Sequence, residues 1–202
     1  MYDTGVAFDG VAGFEPGTGV LVTGEQRRAR ERVYDALAAG DADEGVVVVT
    51  TERTARAVVA DLENRGAVDR SRLGIVQVGA DTDADPPERV AVERVASPGD
   101  LTGVSLATAK LVRGLGGEDA GRIRLGLVSV STLLGHGELG TVFRFLHVLT
   151  ARTSGGGWLG LFAVDSAAHD PQTVSTIRAA FDTELATTTG SLSVRGTGVL
   201  RD

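Results

Sequence analysis

A buried strand that turns directly into a helix near the N-terminus constrains the fold more than any other feature. Residues 19–38 read GVLVTGEQRRARERVYDALA: an apolar run, a turn that begins at Gly24, and a helix. Four apolar residues of that helix recur at i, i+4, i+7 and i+8 from Ala29, which predicts one core-facing stripe. Further strands and helices alternate along the chain, and this alternation predicts an α/β domain.

The turn after Gly24 lies where a phosphate-binding loop would begin. The pattern G-x-x-x-x-G-K-[ST] would require glycine, lysine and a hydroxyl residue at positions 29, 30 and 31. The chain has Ala29, Arg30 and Glu31 there. A phosphate loop needs inward backbone N–H groups, a lysine ammonium and a hydroxyl on Mg²⁺. Glu31 would instead bring a carboxylate to the phosphates, so we expect a nucleotide-binding fold whose chemistry is altered or lost.

Length and composition favour one globular domain without a membrane span. The chain has 202 residues, 42% of them hydrophobic, and no apolar run approaches the roughly 18 residues that a span needs. We expect residues 1–17 to form an N-terminal edge segment and residues 18–202 to form a single domain. The absence of cysteine excludes disulfides and thiolate metal sites but does not indicate a redox compartment. Because no basic leader is visible, we expect a soluble protein with the cytoplasm as its default location.

The charge balance argues against a nucleic-acid surface. The chain carries 27 acidic and 20 basic residues, a net charge of −7, and Lys110 is its single lysine. This composition is typical of halophilic archaea with GC-rich genomes, although GC bias alone could exchange lysine for arginine. Four arginines crowd the first turns of the helix after Gly24, where they form either a solvated face or a site for an anion or partner; they are Arg27, Arg28, Arg30 and Arg32.

Hydrophobic periodicity predicts a three-layer α/β sandwich with a mainly parallel sheet and a C-terminal antiparallel hairpin. The predicted buried strands are 18–23, 46–50, 73–78, 123–130 and 158–164, with an edge strand at 90–95 and a hairpin at 184–189 and 191–195. The predicted helices after the first are 54–65, 101–114, 138–153 and 170–182. Residues 79–88 are predicted to form an exposed acidic loop.

Four segments, taken in order, resemble the RecA superfamily and its KaiC-like branch, which is common in archaea. They are VLVTG, VVVVTTER, RLGLVSVSTLL and WLGLFAVDSAAHD. The resemblance implies a RecA-like P-loop NTPase fold in which strand 158–164 lies between strands 18–23 and 123–130, with the hairpin beyond strand 18–23.

The same resemblance implies that both nucleotide motifs are degenerate. Val128 stands where the family has the aspartate that holds Mg²⁺ through water, and Ser129 follows it. After the second strand, Glu52 matches one member of the family's usual glutamate pair, and Thr51 replaces the other. Glu52 is therefore a vestigial candidate for the catalytic acid, or else a solvated or helix-starting residue.

A second candidate polar site follows strand 158–164, at the end of a strand where open α/β sheets usually bind ligands. It comprises Asp165, Ser166, His169 and Asp170, and turn and capping roles are the favoured interpretation. The other histidines, His136 and His147, form no spacing typical of metal ligands, so no metal is expected.

The loss of the lysine, the hydroxyl, the second glycine and the metal aspartate favours a non-catalytic domain. We expect it to act by protein–protein contacts or self-association, in regulation or signalling, with no cofactor. An atypical ATP-binding protein or ATPase that uses Mg²⁺, Arg30 and Glu52 is the alternative. A DNA-recombination paralogue is a third hypothesis, which the acidic balance and the lack of a basic, aromatic stretch disfavour.

Overall fold

The elements of the structure, a computed structural model, follow the predicted alternation. It describes residues 1–79, 85–116, 121–188 and 191–201. The strands are Tyr2–Asp3 (β1), Gly13–Phe14 (β2), Gly19–Gly24 (β3), Gly45–Thr50 (β4), Leu73–Val78 (β5), Ala91–Val95 (β6), Ile123–Val128 (β7), Leu159–Asp165 (β8), Thr183–Thr188 (β9), Ser191–Gly196 (β10) and Val199–Leu200 (β11). The helices are Gln26–Ala38 (α1), Ala55–Glu63 (α2), Leu101–Gly114 (α3), Val130–Leu134 (α4), Leu139–Gly156 (α5) and Pro171–Arg178 (α6), with a 3₁₀ turn at Arg70–Arg72.

The main sheet has eight strands in the order β10-β9-β3-β8-β7-β4-β5-β6. All its pairings are parallel except β9 with β10, which form the C-terminal hairpin. The mixed α/β fold with a mainly parallel sheet is therefore confirmed. The predicted order is also confirmed, because β8 lies between β3 and β7 and the hairpin lies beyond β3.

Two apolar layers cover the sheet, one on each face. On β3, Val20 and Val22 face the layer that contains α1 and α2, whereas Leu21 faces the layer that contains α3 and α5. This alternation explains why the central strands are continuous apolar runs, since both of their faces are buried. No helix in the described part of the chain is long and apolar enough to cross a membrane.

The N-terminal segment, expected to be an edge segment, forms a second sheet with β11 in the order β1-β2-β11. Its side chains Tyr2, Phe8 and Phe14 are buried in the layer that holds α1. The Tyr2 hydroxyl donates to the Gly157 carbonyl (3.0 Å) and accepts from the Ile123 N–H (3.2 Å). The segment is thus tied to the main sheet through buried contacts.

Several predicted element boundaries are wrong. The strand predicted at 123–130 ends at Val128, and Ser129 is the N-cap of the unpredicted helix α4. Helix α5 continues to Gly156, because only Gly157 adopts the left-handed conformation (φ 65°) that ends it. Helix α6 ends at Arg178 rather than near 182. The described residues do not include 80–84 of the predicted loop 79–88, nor 189–190 in the turn of the predicted hairpin.

Candidate functional site at the carboxyl edge of the sheet

The carboxyl ends of four adjacent parallel strands, β3, β8, β7 and β4, meet at one edge of the sheet. Ligands of open α/β sheets usually bind at this edge. The topology brings together the four short segments on which the nucleotide hypothesis depends, namely residues 24–31, 51–52, 128–132 and 165–170. The contacts among these segments determine whether the edge could bind a nucleotide.

The turn after Gly24 is too short for a phosphate loop, which corrects the expected arrangement of residues 24–31. Strand β3 ends at Gly24 and α1 begins at Gln26, so Glu25 alone separates the strand from the helix. Ala29, Arg30 and Glu31 therefore lie within the first turns of α1, and Ala29 is fully buried. A helical backbone directs its N–H groups along its own axis, so these residues do not surround a phosphate.

Gly24 is required by packing against the hairpin. A Cβ at this position would lie 2.2 Å from Thr187 Oγ1 and 2.6 Å from the Thr187 carbonyl oxygen. Thr187 Oγ1 also donates to the Thr23 carbonyl (2.8 Å), so β9 is held close to the end of β3. The glycine that suggested a phosphate turn instead permits two strands to approach.

Glu52 lies at the centre of a polar cluster, here called the Glu52 cluster, with Gln26, Arg30 and Thr132. Its Oε1 accepts hydrogen bonds from Gln26 Nε2 (2.8 Å) and Thr132 Oγ1 (2.9 Å). Its Oε2 lies 3.7 Å from Arg30 Nη1. The side chains of Arg30 and Glu52 are 27% and 39% exposed, so solvent screens the pair and its contribution is about 0–1 kcal/mol.

The Glu52 cluster joins three elements that begin or end at the edge. Gln26 opens α1, Glu52 follows β4, and Thr132 belongs to α4. Because Glu52 Oε1 accepts hydrogen bonds from both α1 and α4, this side chain connects the two helices to the end of β4. A general base must instead be within hydrogen-bond reach of a substrate proton.

The end of β7 lacks a metal-binding group. Val128 is 3% exposed and packs in the apolar core. The Ser129 N–H donates to Thr51 Oγ1 (3.2 Å), and the Thr51 N–H donates to the Val128 carbonyl (3.2 Å). Ser129 Oγ is buried, and the described residues offer it no hydrogen-bond partner. These contacts join β7 to the segment after β4, and the strand ends on an apolar side chain.

Asp165 and Ser166 shape the turn after β8. The Asp165 N–H donates to Ser131 Oγ (2.9 Å), and its Oδ1 accepts from the Ala167 N–H (3.0 Å). The Ser166 N–H donates to the Gly24 carbonyl (3.0 Å), which continues the pairing of β3 with β8. Both residues thus have the turn role that the sequence favoured.

Asp170 caps α6, as the sequence predicted. Its Oδ1 accepts from the N–H groups of Gln172 and Thr173, both at 2.9 Å, and its Oδ2 accepts from Thr173 Oγ1 (2.6 Å). The Thr173 hydroxyl, followed by these N–H groups, lowers the pKa of the Asp170 carboxyl below its ordinary value. Beside it, His169 Nε2 is buried and has no hydrogen-bond partner among the described residues.

The remaining histidines, His136 and His147, have local contacts. His136 Nδ1 lies 2.8 Å from the Thr132 carbonyl, and the His147 ring is nearly parallel to Phe143 with ring centroids 6.1 Å apart. Within the ranges that the structure describes, no group of three His, Asp or Glu side chains could hold a metal ion.

The arginines of α1 contact neighbouring parts of the chain. Arg27 pairs with Glu31 (2.8 Å), and Arg32 donates to the Ala7 carbonyl (2.9 Å), which holds the N-terminal segment. A cleft of about 340 Å³ lies between α1, the N-terminal segment and the hairpin, and both Arg28 and Asp35 line it. Because its walls carry both signs of charge, the cleft does not select an anion.

The sequence did not identify Gln26 and Thr132 as members of the site. They lie 26 and 80 residues from Glu52 along the chain. No periodicity or motif connects positions so far apart, and only the order of the strands brings them together.

Comparison with known proteins matches the chain to one family model. A family model described as a family of unknown function (DUF7504) matches residues 17–187. No curated protein matches the chain. Among solved structures, the chain is similar to a Pyrococcus horikoshii OT3 protein from a structural study with project ID PH0250, at 12% sequence identity and a TM-score of 0.59. That alignment covers 91% of this chain and 88% of the other, and an identity this low supports likeness of fold alone.

Proposed function

The chain belongs to the DUF7504 family of unknown function, and we propose that it is a non-catalytic, RecA/KaiC-like domain that acts through protein contacts in regulation or signalling. The observation that carries this proposal is the single-residue turn between Gly24 and α1. A turn of that length cannot supply the row of inward N–H groups that binds phosphates.

The strand order supports the RecA-like part of the proposal. The sequence resemblance required β8 between β3 and β7 with the hairpin beyond β3, and the observed sheet has that order. The right-handed crossover rule does not by itself choose this order among the alternatives.

The charges at the carboxyl edge support the loss of nucleotide chemistry. Glu25, Glu52 and Asp165 all lie there, where a nucleotide would bring further negative charge. Lys110, the single lysine, lies on α3 and pairs with Glu93 at 2.7 Å. Phosphoryl transfer depends on cations and Mg²⁺ to neutralise developing charge, and at this edge Arg30 already faces the Glu52 carboxylate at 3.7 Å.

Calorimetric titration with ATP, with and without Mg²⁺, tests the proposal. We expect the wild-type chain to show no Mg²⁺-dependent affinity in the micromolar range. We also expect the quadruple variant Ala29→Gly, Arg30→Lys, Glu31→Thr, Val128→Asp to fail to bind, because the first three positions are helical and the loop itself is missing. Tight, metal-dependent binding by the unmodified chain would contradict the proposal.

An atypical ATP-binding protein or ATPase is a second candidate, and the 3.7 Å approach of Arg30 to Glu52 is the observation that favours it. This candidate requires measurable ATP hydrolysis that disappears in Glu52→Gln while the fold persists. A purely structural Glu52 requires no hydrolysis in either protein and a small loss of thermal stability in the variant. A steady-state phosphate-release assay with thermal melts of both proteins separates the two.

A further inference from the structure

Helices α3 and α5 carry basic residues and no acidic ones. The 14 residues of α3 and the 18 residues of α5 include no acidic residue, although the chain carries a net charge of −7. By contrast, α1 contains Glu31 and Asp35, and α2 contains Asp61 and Glu63. The fixed positive charges on α3 and α5 are Lys110, Arg113, Arg144 and Arg152.

Two exposed apolar side chains lie among these cations. Leu106 on α3 is 67% exposed and Val148 on α5 is 49% exposed. Side chains four apart share a face of a helix, so Val148 lies between Arg144 and Arg152, and Leu106 shares a face with Lys110. Helix α5 therefore presents an outward stripe that is both apolar and cationic, whereas the Lys110 beside Leu106 on α3 pairs with Glu93 (2.7 Å).

A groove of about 410 Å³ separates the two helices beside these stripes. Val112, Leu149 and Trp158 form apolar parts of its wall, and Arg113 and Arg152 line it as well. Arg152 donates to the hydroxyl of Ser105 (3.1 Å) and Arg144 to that of Thr141 (3.2 Å). Within the described ranges neither of these two arginines forms an ion pair with a carboxylate.

We propose that the α3–α5 groove binds an acidic, amphipathic segment of a partner protein, with an apolar side chain in the groove and carboxylates on Arg144 and Arg152 of α5. Charge complementarity selects this occupant, because Arg144 and Arg152 donate only to hydroxyls among the described residues, and such cations attract carboxylates and repel further cations. The concave shape favours a protruding side chain over a flat surface. The inference rests on the proposed function, since it names the surface through which such a domain would make its contact.

Two variants of the groove and one control test the proposal. Arg144→Glu with Arg152→Glu reverses two charges on α5. Gly155→Leu places a side chain in the groove from a position where an added Cβ meets nothing within 4 Å, and it removes a helical glycine, so the variant should fold. The control, Arg56→Glu with Arg195→Glu, makes the same net charge change at exposed positions elsewhere.

The probes are synthetic amphipathic helices of about 20 residues with leucine on one face and glutamate on the other, and a matched peptide with lysine in place of glutamate. We expect the wild-type protein and the control to bind the glutamate peptide, and each groove variant to bind it about tenfold more weakly or worse. The lysine peptide should not bind. Fluorescence anisotropy of labelled peptides gives each affinity.

Other outcomes would overturn the proposal. Equal binding by wild type and Gly155→Leu, or no binding of the glutamate peptide, would exclude the groove as its site. If the wild-type protein sediments with phosphatidylserine vesicles in preference to binding the peptide, the face is a membrane-binding surface. If the wild-type protein self-associates and the charge reversal abolishes this, the face binds a second copy of the chain. ATP titration is independent of these results, so tight nucleotide binding would refute the proposed function whatever the peptide does.

Discussion

At the carboxyl edge of the sheet, side chains form hydrogen bonds with one another. A nucleotide site would leave such polar groups free to contact the ligand. Glu52 accepts hydrogen bonds from Gln26 and Thr132, and Thr51 and Ser129 are joined through a backbone N–H. Gly24 serves the close approach of Thr187. The residues that match a nucleotide motif by position thus hold neighbouring segments together.

Substitution of Gly24 tests this packing role directly. Gly24→Ala should lower the free energy of unfolding by about 1–3 kcal/mol, because the added Cβ would overlap Thr187 side-chain and backbone atoms. Gly140→Ala is the matched control, since a Cβ there meets nothing within 4 Å and alanine favours a helix by up to about 1 kcal/mol. Urea unfolding of both variants gives the two changes. A neutral Gly24→Ala would mean that β9 can move away from β3.

Helices of this domain begin in two different ways. Thr54, Asp100 and Asp170 cap α2, α3 and α6 with side-chain hydrogen bonds. The N-cap residues of α1, α4 and α5 make no such bond. The first turns of α1 and α4 are instead connected through the Glu52 cluster, so tertiary contacts replace local caps at the candidate site.

The Asp170 cap predicts a specific acid dependence of stability. Because its pKa is lowered in the folded state, the carboxylate contributes stability above its unfolded pKa, near 4, and this contribution is lost as pH falls through the lower folded value. Asp170→Asn keeps a capping oxygen but does not titrate. The variant should therefore lose less stability than wild type below about pH 4, as measured by urea unfolding at successive pH values.

A second substitution at the same position serves as its control. Asp170→Ala removes both the cap and the charge, so it should be less stable than Asp170→Asn at neutral pH. Equal acid sensitivity of wild type and Asp170→Asn would contradict the assigned pKa shift.

Across the whole molecule, acidic and basic residues are unevenly distributed. The net charge is −7, yet the α3–α5 layer is cationic and the carboxyl edge carries Glu25, Glu52 and Asp165. Repulsion among excess carboxylates opposes the compact state, whereas exposed ion pairs contribute little each. Net repulsion should therefore dominate the response of the fold to salt.

We expect the thermal midpoint to rise as KCl increases from dilute to molar concentration, in keeping with a halophilic composition. Most of the rise should occur below about 1 M, where the screening length falls to about 3 Å. Melts in KCl, compared with melts in an uncharged osmolyte such as sucrose, separate screening from general solute exclusion. A midpoint that stays constant or falls would mean that the acidic, lysine-poor composition reflects the GC bias of the genome and not adaptation to salt.

The sequence predicted the strands of the sheet well, because the apolar run that marks a buried strand is a local pattern. Each central strand is buried on both faces, so apolar runs identified β3, β4, β5, β7 and β8 within one or two residues, and the family resemblance supplied their order. The length of the turn after Gly24 was not predictable, because the periodicity of α1 continues through Ala29 whether the helix begins at Gln26 or later.

The sequence did not predict the contacts of side chains whose partners are distant along the chain. Arg124 is the second residue of the otherwise apolar strand β7 and is fully buried, where it pairs with Glu44 and donates to the Ala36 carbonyl (2.8 Å). Its partners come from other elements, 80 and 88 residues away. A charged residue in a buried strand indicates that some partner exists, but the sequence does not say which.

The small sheet β1-β2-β11 couples the folding of the domain to the order of its synthesis. Phe14 in β2 pairs with Val199 in β11, so translation must add about 185 residues before that pairing can form. Until then β2 has only β1 as a neighbour, and closing so long a loop is entropically unfavourable. A nascent chain therefore lacks the pairing of β2 with β11 until translation is nearly complete, whereas a full-length chain diluted from denaturant has both strands from the start.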